Sequence, residues 1–353
     1  MKPTHYPRIA LIQNPGSGAH DSEPRKRVRE RLEGICESLT EITVQPGLDI
    51  ADRTSEIVRE GVDLVVVAAG DSTVHEAASS LVGTEKPLAI VPLGTFNNLA
   101  LSLDLPRDAD AVCDLIEAGH TREIDVGLAD KHHYFFEAAG VGVDAELFPI
   151  GEEVKSGRFH SIVRAIRLAI HYRQASIVLE FDRPVSEAYH RSFLGQAPMK
   201  KRRRRFRKSR KRIKLRCSFV AIGNGPYYGS NFNVCPGAIL DDGLFSIGVY
   251  RDFSKLDLLR HFWSISGGRR LYNPKMEMFE AKTLQVSSPG RLNVHVDGRP
   301  IGTTPVRFRI LPKALKVVVP LLFGEKSLKT QMSSILPFSG PVACNGAISC
   351  FPP

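Results

Sequence analysis

The stretch Leu64–Ser79 reads LVVVAAGDSTVHEAAS, and how it folds decides the architecture. The unalternated apolar run 64–69 suits a strand covered on both faces, as in a parallel sheet between helix layers. Gly70 permits a sharp turn, and Asp71, Ser72 and Thr73 are all good helix N-caps. A strand, a glycine turn and a helix start leave backbone N–H groups facing an anion, which is how many folds hold phosphate. An ordinary strand–turn–helix link carries the same letters. On this stretch alone both readings stand.

Working outward, the same unit recurs. RIALIQ (8–13) reads as a strand entering the turn NPGSG (14–18), after which Val28, Leu32, Ile35 and Leu39 recur at helical spacing. EITVQ (41–45) reads as a strand, and ADRTSEIVREG (51–61) as a helix ended by Gly61. KPLAIVP (86–92) is a further strand. It leads into LGTFNNLALSL (93–103), where Thr95 or Asn97 is placed to cap a helix. This is a doubly wound parallel α/β pattern, and such sheets bind ligands at the carboxyl ends of their strands.

After Asp125 strand-like pieces follow one another, from HHYFFEAAGVG (132–142) to VRFRILP (306–312). They predict a mainly antiparallel β region interrupted by two helices, SIVRAIRLAIHYR (161–173) and SKLDLLRHFWSI (254–265). Ile162, Ile166 and Ile170 share one face of the first, as do Leu256, Leu259 and Trp263 of the second. Such faces pack on a sheet, and the first also suits a membrane surface. The expected organisation is a nucleotide-binding type domain over 8–128, completed by 312–323, and a β-rich domain over 129–311. The stretch 324–353, without periodicity and rich in Ser, Pro and Gly, reads as disordered.

Residues 200–216, KKRRRRFRKSRKRIKLR, hold thirteen Lys or Arg, more than the net charge of +10 of all 353 residues. The body of the chain is therefore mildly acidic, and its basicity belongs to one segment, read as a loop. A solvated, self-repelling loop is the plain reading. An anionic membrane surface is the sharper one, and Phe206 as the sole aromatic of the run disfavours nucleic acid. No apolar run approaches the ~20 residues of a membrane span. The opening residues lack the apolar core of a signal peptide. The six cysteines show no metal-like spacing. These features lead us to expect a cytoplasmic protein held peripherally at a membrane, with a second copy of the chain as a candidate partner. Walker A, G-x-G-x-x-G, H-E-x-x-H and G-x-S-x-G patterns are missing.

The ordered set NPGSG (14–18), AGDSTVHE (69–76), PLGTFNN (92–98), IDVG (124–127), GNGPYYGSNFNVCPGAILDDGL (223–244) and VDGRPIG (296–302) resembles the diacylglycerol kinase/sphingosine kinase catalytic domain. The likeness runs over roughly 8–323 and is nearest to the soluble bacterial lipid kinases. It implies a two-domain lipid kinase with its active site in the cleft between the domains, using ATP and Mg2+ to phosphorylate the free hydroxyl of diacylglycerol, sphingosine or a related lipid. By that resemblance the nucleotide contacts are Asn14, Pro15, Gly16, Ser17, Gly18, Thr43, Ala69, Gly70, Asp71, Ser72, Thr73, Val74, His75 and Thr95. Asp71 matches an essential aspartate beside magnesium and phosphate, and Asp125 an acid linked to that magnesium through water. Ile239, Asp242 and Leu244 match a second, structural metal site of one carboxylate and two carbonyls, a donor set suited to magnesium or calcium.

The chain departs from that pattern at informative places. Ala69 and Ser72 replace glycines, His75 stands where the bacterial enzymes carry Asn, and Asn98 replaces an aspartate. Arg299 stands where the family has the glutamate that accepts the lipid hydroxyl's proton, and a guanidinium cannot accept one. A catalytically impaired nucleotide- or lipid-binding protein is therefore the alternative. An NAD kinase-like enzyme also shares a Gly-Asp-Gly-Thr loop, but the β-rich second half speaks against it.

Overall fold

The computed structural model describes residues 5–17, 23–155, 160–172, 174–185, 210–229, 232–235, 237–251, 254–267 and 276–321. The chain begins with β1 (Arg8–Gln13), α1 (Glu23–Ile35), β2 (Ser38–Thr43), α2 (Ile50–Glu60) and β3 (Leu64–Ala69). It continues with α3 (Asp71–Leu81), β4 (Leu88–Pro92), the short α4 (Asn98–Ser102) and α5 (Ala109–Ala118). Strands β2, β1, β3 and β4 lie side by side in that order, all parallel. Both faces are buried, which is why their apolar runs do not alternate. Ile9, Leu11, Leu64 and Val66 pack against Val28, Leu32, Val112 and Ile116 of α1 and α5. Ile12, Val65 and Val67 meet Ile57 of α2 and Val74 and Ala77 of α3.

The second half supplies β5 (Thr121–Ala129), β6 (His133–Phe135), β7 (Ala138–Gly142), α6 (Asp144–Lys155), α7 (Ser161–His171), β8 (Ala175–Val185) and β9 (Arg210–Cys217). There follow β10 (Phe219–Gly223), the ladder β11 (Tyr227–Tyr228) with β12 (Phe232–Asn233), β13 (Phe245–Tyr250) and α8 (Lys255–Gly267). Last come β14 (Met276–Ala281), β15 (Thr283–Ser287), β16 (Asn293–Val296), β17 (Arg299–Thr303) and β18 (Val306–Val318). Strand β18 joins the two halves. Its end is parallel to β4 at Val317–Leu88 on one side, while the strand pairs antiparallel with β5 along its length and with β15 at its start. The first sheet thereby extends through β15 and β8 to its edge strand β9. A second sheet, ordered β14-β13-β10-β7-β16-β17, packs on that extension through Val141, Ile222, Ile247 and Phe279 against Ile177, Leu179, Leu284 and Phe308. Its other face lies under α6, α7 and α8.

Several sequence expectations need correction. Leu39 belongs to β2, where it pairs with Ile9, and the helix before it stops at Ile35. Residues 210–216 of the expected basic loop form most of β9, paired with β8; residues 200–209 lie outside the described residues, as do 324–353. Helix α6 was not expected, because Pro149 and Gly151 sit within it. Neither expected apolar face is fully covered: Ile166 and Ile170 of α7 and Leu256 and Trp263 of α8 are exposed, as is Val163 beside the first.

Candidate active site

At the carboxyl ends of β3 and β4 two turns meet. A Cβ on Gly94 would stand 2.4 Å from the Cα of Gly70, so only glycine lets the two backbones approach this closely. The φ of Gly70 is −93°, an ordinary value. Close approach, and not a sharp turn, favours glycine at 70, where a Cβ would meet the Gly94 Cα at 3.3 Å. Gly70 is also the N-cap residue of α3, and no side chain caps the helix. A glycine at this position offers the first N–H groups of the helix no side-chain acceptor of its own.

The residues expected to cap have other work. The Asp71 carboxylate accepts from the backbone N–H of Asn97 (2.9 Å) and Asn98 (2.8 Å), strapping the second turn to the first. Asn97 occupies the N-cap position of α4 at φ +55°, but its side chain folds back onto Gly94. Thr73 is buried and accepts from the Asn14 side chain at 3.1 Å, which ties the 14–17 turn to α3. Ser72 sits in helical backbone, where its Cβ is tolerated. Asn98 is buried, with Nδ2 donating to the Gly229 carbonyl at 2.8 Å.

These turns form one wall of a cleft of about 470 Å³. Asn14, Gly16, Ser17, Gly70, Asp71 and Ser72 line it, together with Val74, His75 and Thr95. Ala69 is buried at the end of β3, Thr43 ends β2 on the surface, Pro15 lies in the first turn, and Gly18 falls outside the described residues.

The opposite wall is the β16–β17 hairpin. Asp297 (φ +44°) and Gly298 (φ +79°) form its tip, the left-handed pair that a tight hairpin turn demands. The Asp297 carboxylate accepts from the N–H groups of Phe136 (2.8 Å), Glu137 (3.1 Å) and Ala138 (3.0 Å), pinning the hairpin to the β6–β7 link. Behind it lies a buried chain. Tyr228 donates to Asp144 at 2.7 Å, His295 Nε2 meets Asp144 at 3.2 Å, and the Gly298 N–H donates to His295 Nδ1 at 3.2 Å. Arg299 reaches across the cleft to α3, donating to the Ser72 carbonyl at 2.8 Å and pairing with Glu76 at 3.0 Å.

His75 lies between the walls. Its Nε2 is 3.1 Å from the Tyr134 carbonyl, which can only accept, so Nε2 carries the proton. Asp297 is 3.6 Å away. Burial holds this imidazole below its ordinary value, against the pull of Asp297.

Glu137, which the sequence reading did not single out, also lines the cleft. Burial, reinforced by Asp71 and Asp297, pushes its carboxyl well above the ordinary range. The available signal was one acid in an otherwise apolar run, HYFFEAAGVG, since an acid is almost never buried without a reason.

Asp125 does not line this cleft. Buried in β5, it accepts from Gly243 N–H at 2.6 Å and Lys313 N–H at 2.8 Å, which joins it to the 239–244 turn. There Asp242 accepts from Leu244 N–H at 2.9 Å, and its carboxyl is pushed up to about 6 by burial and then by Asp125, Glu280 and Asp241. Ile239 is exposed beside them. Among the described residues no three His, Cys, Asp or Glu side chains gather here, so a cation at this turn would rely on one carboxylate and backbone carbonyls, oxygen donors of the kind a hard divalent ion takes.

Residues 8–129 match the family described as the diacylglycerol kinase catalytic domain, and residues 141–319 the YegS C-terminal NAD kinase beta sandwich-like domain. Relatives named diacylglycerol kinase from Staphylococcus aureus strains bovine RF122 / ET3-1 and MRSA252 are each 25% identical over 323 residues, 89% of this chain and 92% of theirs. A solved structure of a diacylglycerol kinase from Bacillus anthracis str. Sterne superposes with a TM-score of 0.66 at 20% identity. It covers 91% of this chain and 100% of that one, a likeness of fold.

Proposed function

The chain belongs to the diacylglycerol kinase family, and on that premise we propose that it transfers the γ-phosphoryl group of ATP to a free hydroxyl of a lipid, diacylglycerol or sphingosine being the candidate classes. One observation carries the proposal. The start of α3 at Gly70, where the Gly70 and Gly94 turns touch, opens onto a cleft whose far wall is a separate hairpin. Phosphoryl transfer asks a protein mainly for positioned donors around the phosphates and for a second surface that holds the acceptor. The helix start and the neighbouring turns supply the donors. Asp71 keeps the two turns together. Magnesium, when bound, would neutralise phosphate charge beside Asp71, and Asp242 with the Ile239 and Leu244 carbonyls would hold the structural ion.

The lipid is met at a membrane surface. Val163, Ile166 and Ile170 of α7 with Leu256 and Trp263 of α8 offer exposed apolar side chains, and Arg164, Arg167 and Arg260 on the same helices suit anionic headgroups. The basic strand β9 adds Arg210, Lys211, Arg212, Lys214 and Arg216. Among the described residues no helix is long and apolar enough to cross a membrane.

A binding protein without transfer is the second reading, favoured by Arg299, which spans the cleft to Ser72 and Glu76 where a proton acceptor would serve catalysis. Purified protein with magnesium and labelled ATP, offered diacylglycerol, sphingosine and related lipids in anionic vesicles, separates the two. The kinase reading expects label in one lipid class. ATP binding with no labelled lipid supports the second reading.

A further inference from the structure

Three carboxyl groups line the cleft: Asp71, Glu137 and Asp297. Two of them act as backbone staples. Asp71 is occupied by the amides of Asn97 and Asn98, and Asp297 by those of Phe136, Glu137 and Ala138. Glu137 has a different setting. It sits in the link between β6 and β7, where the two walls meet, and the Leu99 backbone amide approaches its carboxyl. Its main chain is fixed at three points, the N–H by Asp297 and the carbonyl by the amides of Asn224 and Gly225, both at 2.8 Å. A backbone held this firmly aims the side chain.

Resting on the lipid-kinase reading above, we propose that Glu137 accepts the proton of the lipid hydroxyl, the task that Arg299 leaves open in the hairpin. The hydroxyl oxygen forms its bond to the γ-phosphorus as the bond from that phosphorus to the β,γ-bridging oxygen breaks. ADP leaves with the electron pair, the hydroxyl proton passes to a Glu137 carboxylate oxygen, and from there it returns to solvent. The charged groups facing Glu137 are Asp71 from α3 and Asp297 from the hairpin; His75 and Arg299 line the same cleft. Burial first, and then the like charges of Asp71 and Asp297, raises the proton affinity of Glu137, the direction that strengthens a proton acceptor.

The test uses the full chain, Mg-ATP and the lipid that wild type phosphorylates, following turnover against pH together with ATP affinity. Glu137→Gln should lose about 10²–10⁴ in turnover with ATP affinity kept, as for loss of a positioned base. The acidic limb of the wild-type profile should vanish with it. Adding Arg299→Glu to Glu137→Gln should restore turnover and bring back an acidic limb at lower pH. Should Glu137→Gln fail to fold, Glu137→Asp serves: a slower enzyme that retains the limb supports the assignment, and wild-type turnover overturns it. An active wild type whose Glu137→Gln variant keeps its rate and its limb overturns the assignment alone. A wild type that binds ATP but labels no lipid overturns the kinase reading and the assignment together.

Discussion

On the α3 wall of the cleft Asp71 gathers the amides of Asn97 and Asn98; on the hairpin wall Asp297 gathers those of Phe136, Glu137 and Ala138. Both are carboxylates used as staples, but they staple different things. Asp71 joins two turns at the ends of neighbouring parallel strands whose core is complete without it. Asp297 sits at φ +44° and joins elements far apart in the chain, over amides that would be left without an acceptor. The first staple shapes a surface for a ligand, and the second holds the wall itself. Stability should therefore depend on Asp297, and turnover on Asp71.

The largest stability effect expected is that of Asp297→Ala. Orphaned amides and a non-glycine residue in left-handed backbone together cost on the order of 3 kcal/mol or more. Asp297→Asn, which tolerates that backbone and keeps an acceptor, should cost about half as much. Urea denaturation measures both, and an Asp297→Ala protein as stable as Asp71→Ala would break the contrast between the walls.

Next comes Gly94→Ala. Its Cβ would press on Gly70 at 2.4 Å and on Asn97 Oδ1 at 2.8 Å, so the turns must part, at about 1–3 kcal/mol. Gly70→Ala meets Gly94 at 3.3 Å and should cost less. Thermal melts with and without ATP read the stability and the loss of nucleotide binding together, and equal effects of the two substitutions would remove the close-approach argument.

Smaller still is Arg299→Ala. The ion pair with Glu76 is more than a third exposed on both sides, so its removal should change stability by less than about 1 kcal/mol. A larger loss in the same melts would make the cross-cleft contact a structural support comparable to the staples.

A further effect, read against pH, lies away from the cleft. The folded-state value of Asp242 is raised to about 6 from an ordinary 3.8, so the unfolded chain releases this proton first. Stability should fall as pH rises from about 3.8 to about 6 and then level off, and Asp242→Asn should flatten that slope. Magnesium or calcium at neutral pH should recover the loss in wild type but not in Asp242→Asn. Melting midpoints across pH 4–7 decide it, and an identical slope in both proteins would remove Asp242 as its source.

The two walls also differ in how far they could be read from sequence. Around Asp71 the signals are local: apolar runs that do not alternate, glycine turns and Gly61 closing α2 at φ +93°. What the sequence could not assign was the work of each polar group, because Asp71 spends its side chain on the neighbouring turn and Asn97 on its own. The hairpin wall depends on partners about 160 positions away, as Asp297 with Phe136 and Glu137 shows, and no local pattern announces such contacts. Glu137 stayed hidden for that reason inside a run that reads as one strand. Helix α6 was hidden by Pro149 and Gly151, and β9 by a charge density that reads as a solvated loop until it pairs with β8. The exposed residues of α7 and α8 carry the apolar spacing of covered helices, and spacing alone does not tell a protein core from a membrane surface.

Phosphoryl transfer across this cleft would show itself as γ-phosphate label appearing in extracted lipid, followed for wild type and Asp71→Ala side by side. Labelled lipid is expected with wild type, and about 10²–10³ less with an Asp71→Ala protein that remains folded, as for loss of a preorganised electrostatic element. Label in lipid at equal rates from both proteins, or ATP bound by wild type with no lipid labelled, would contradict it.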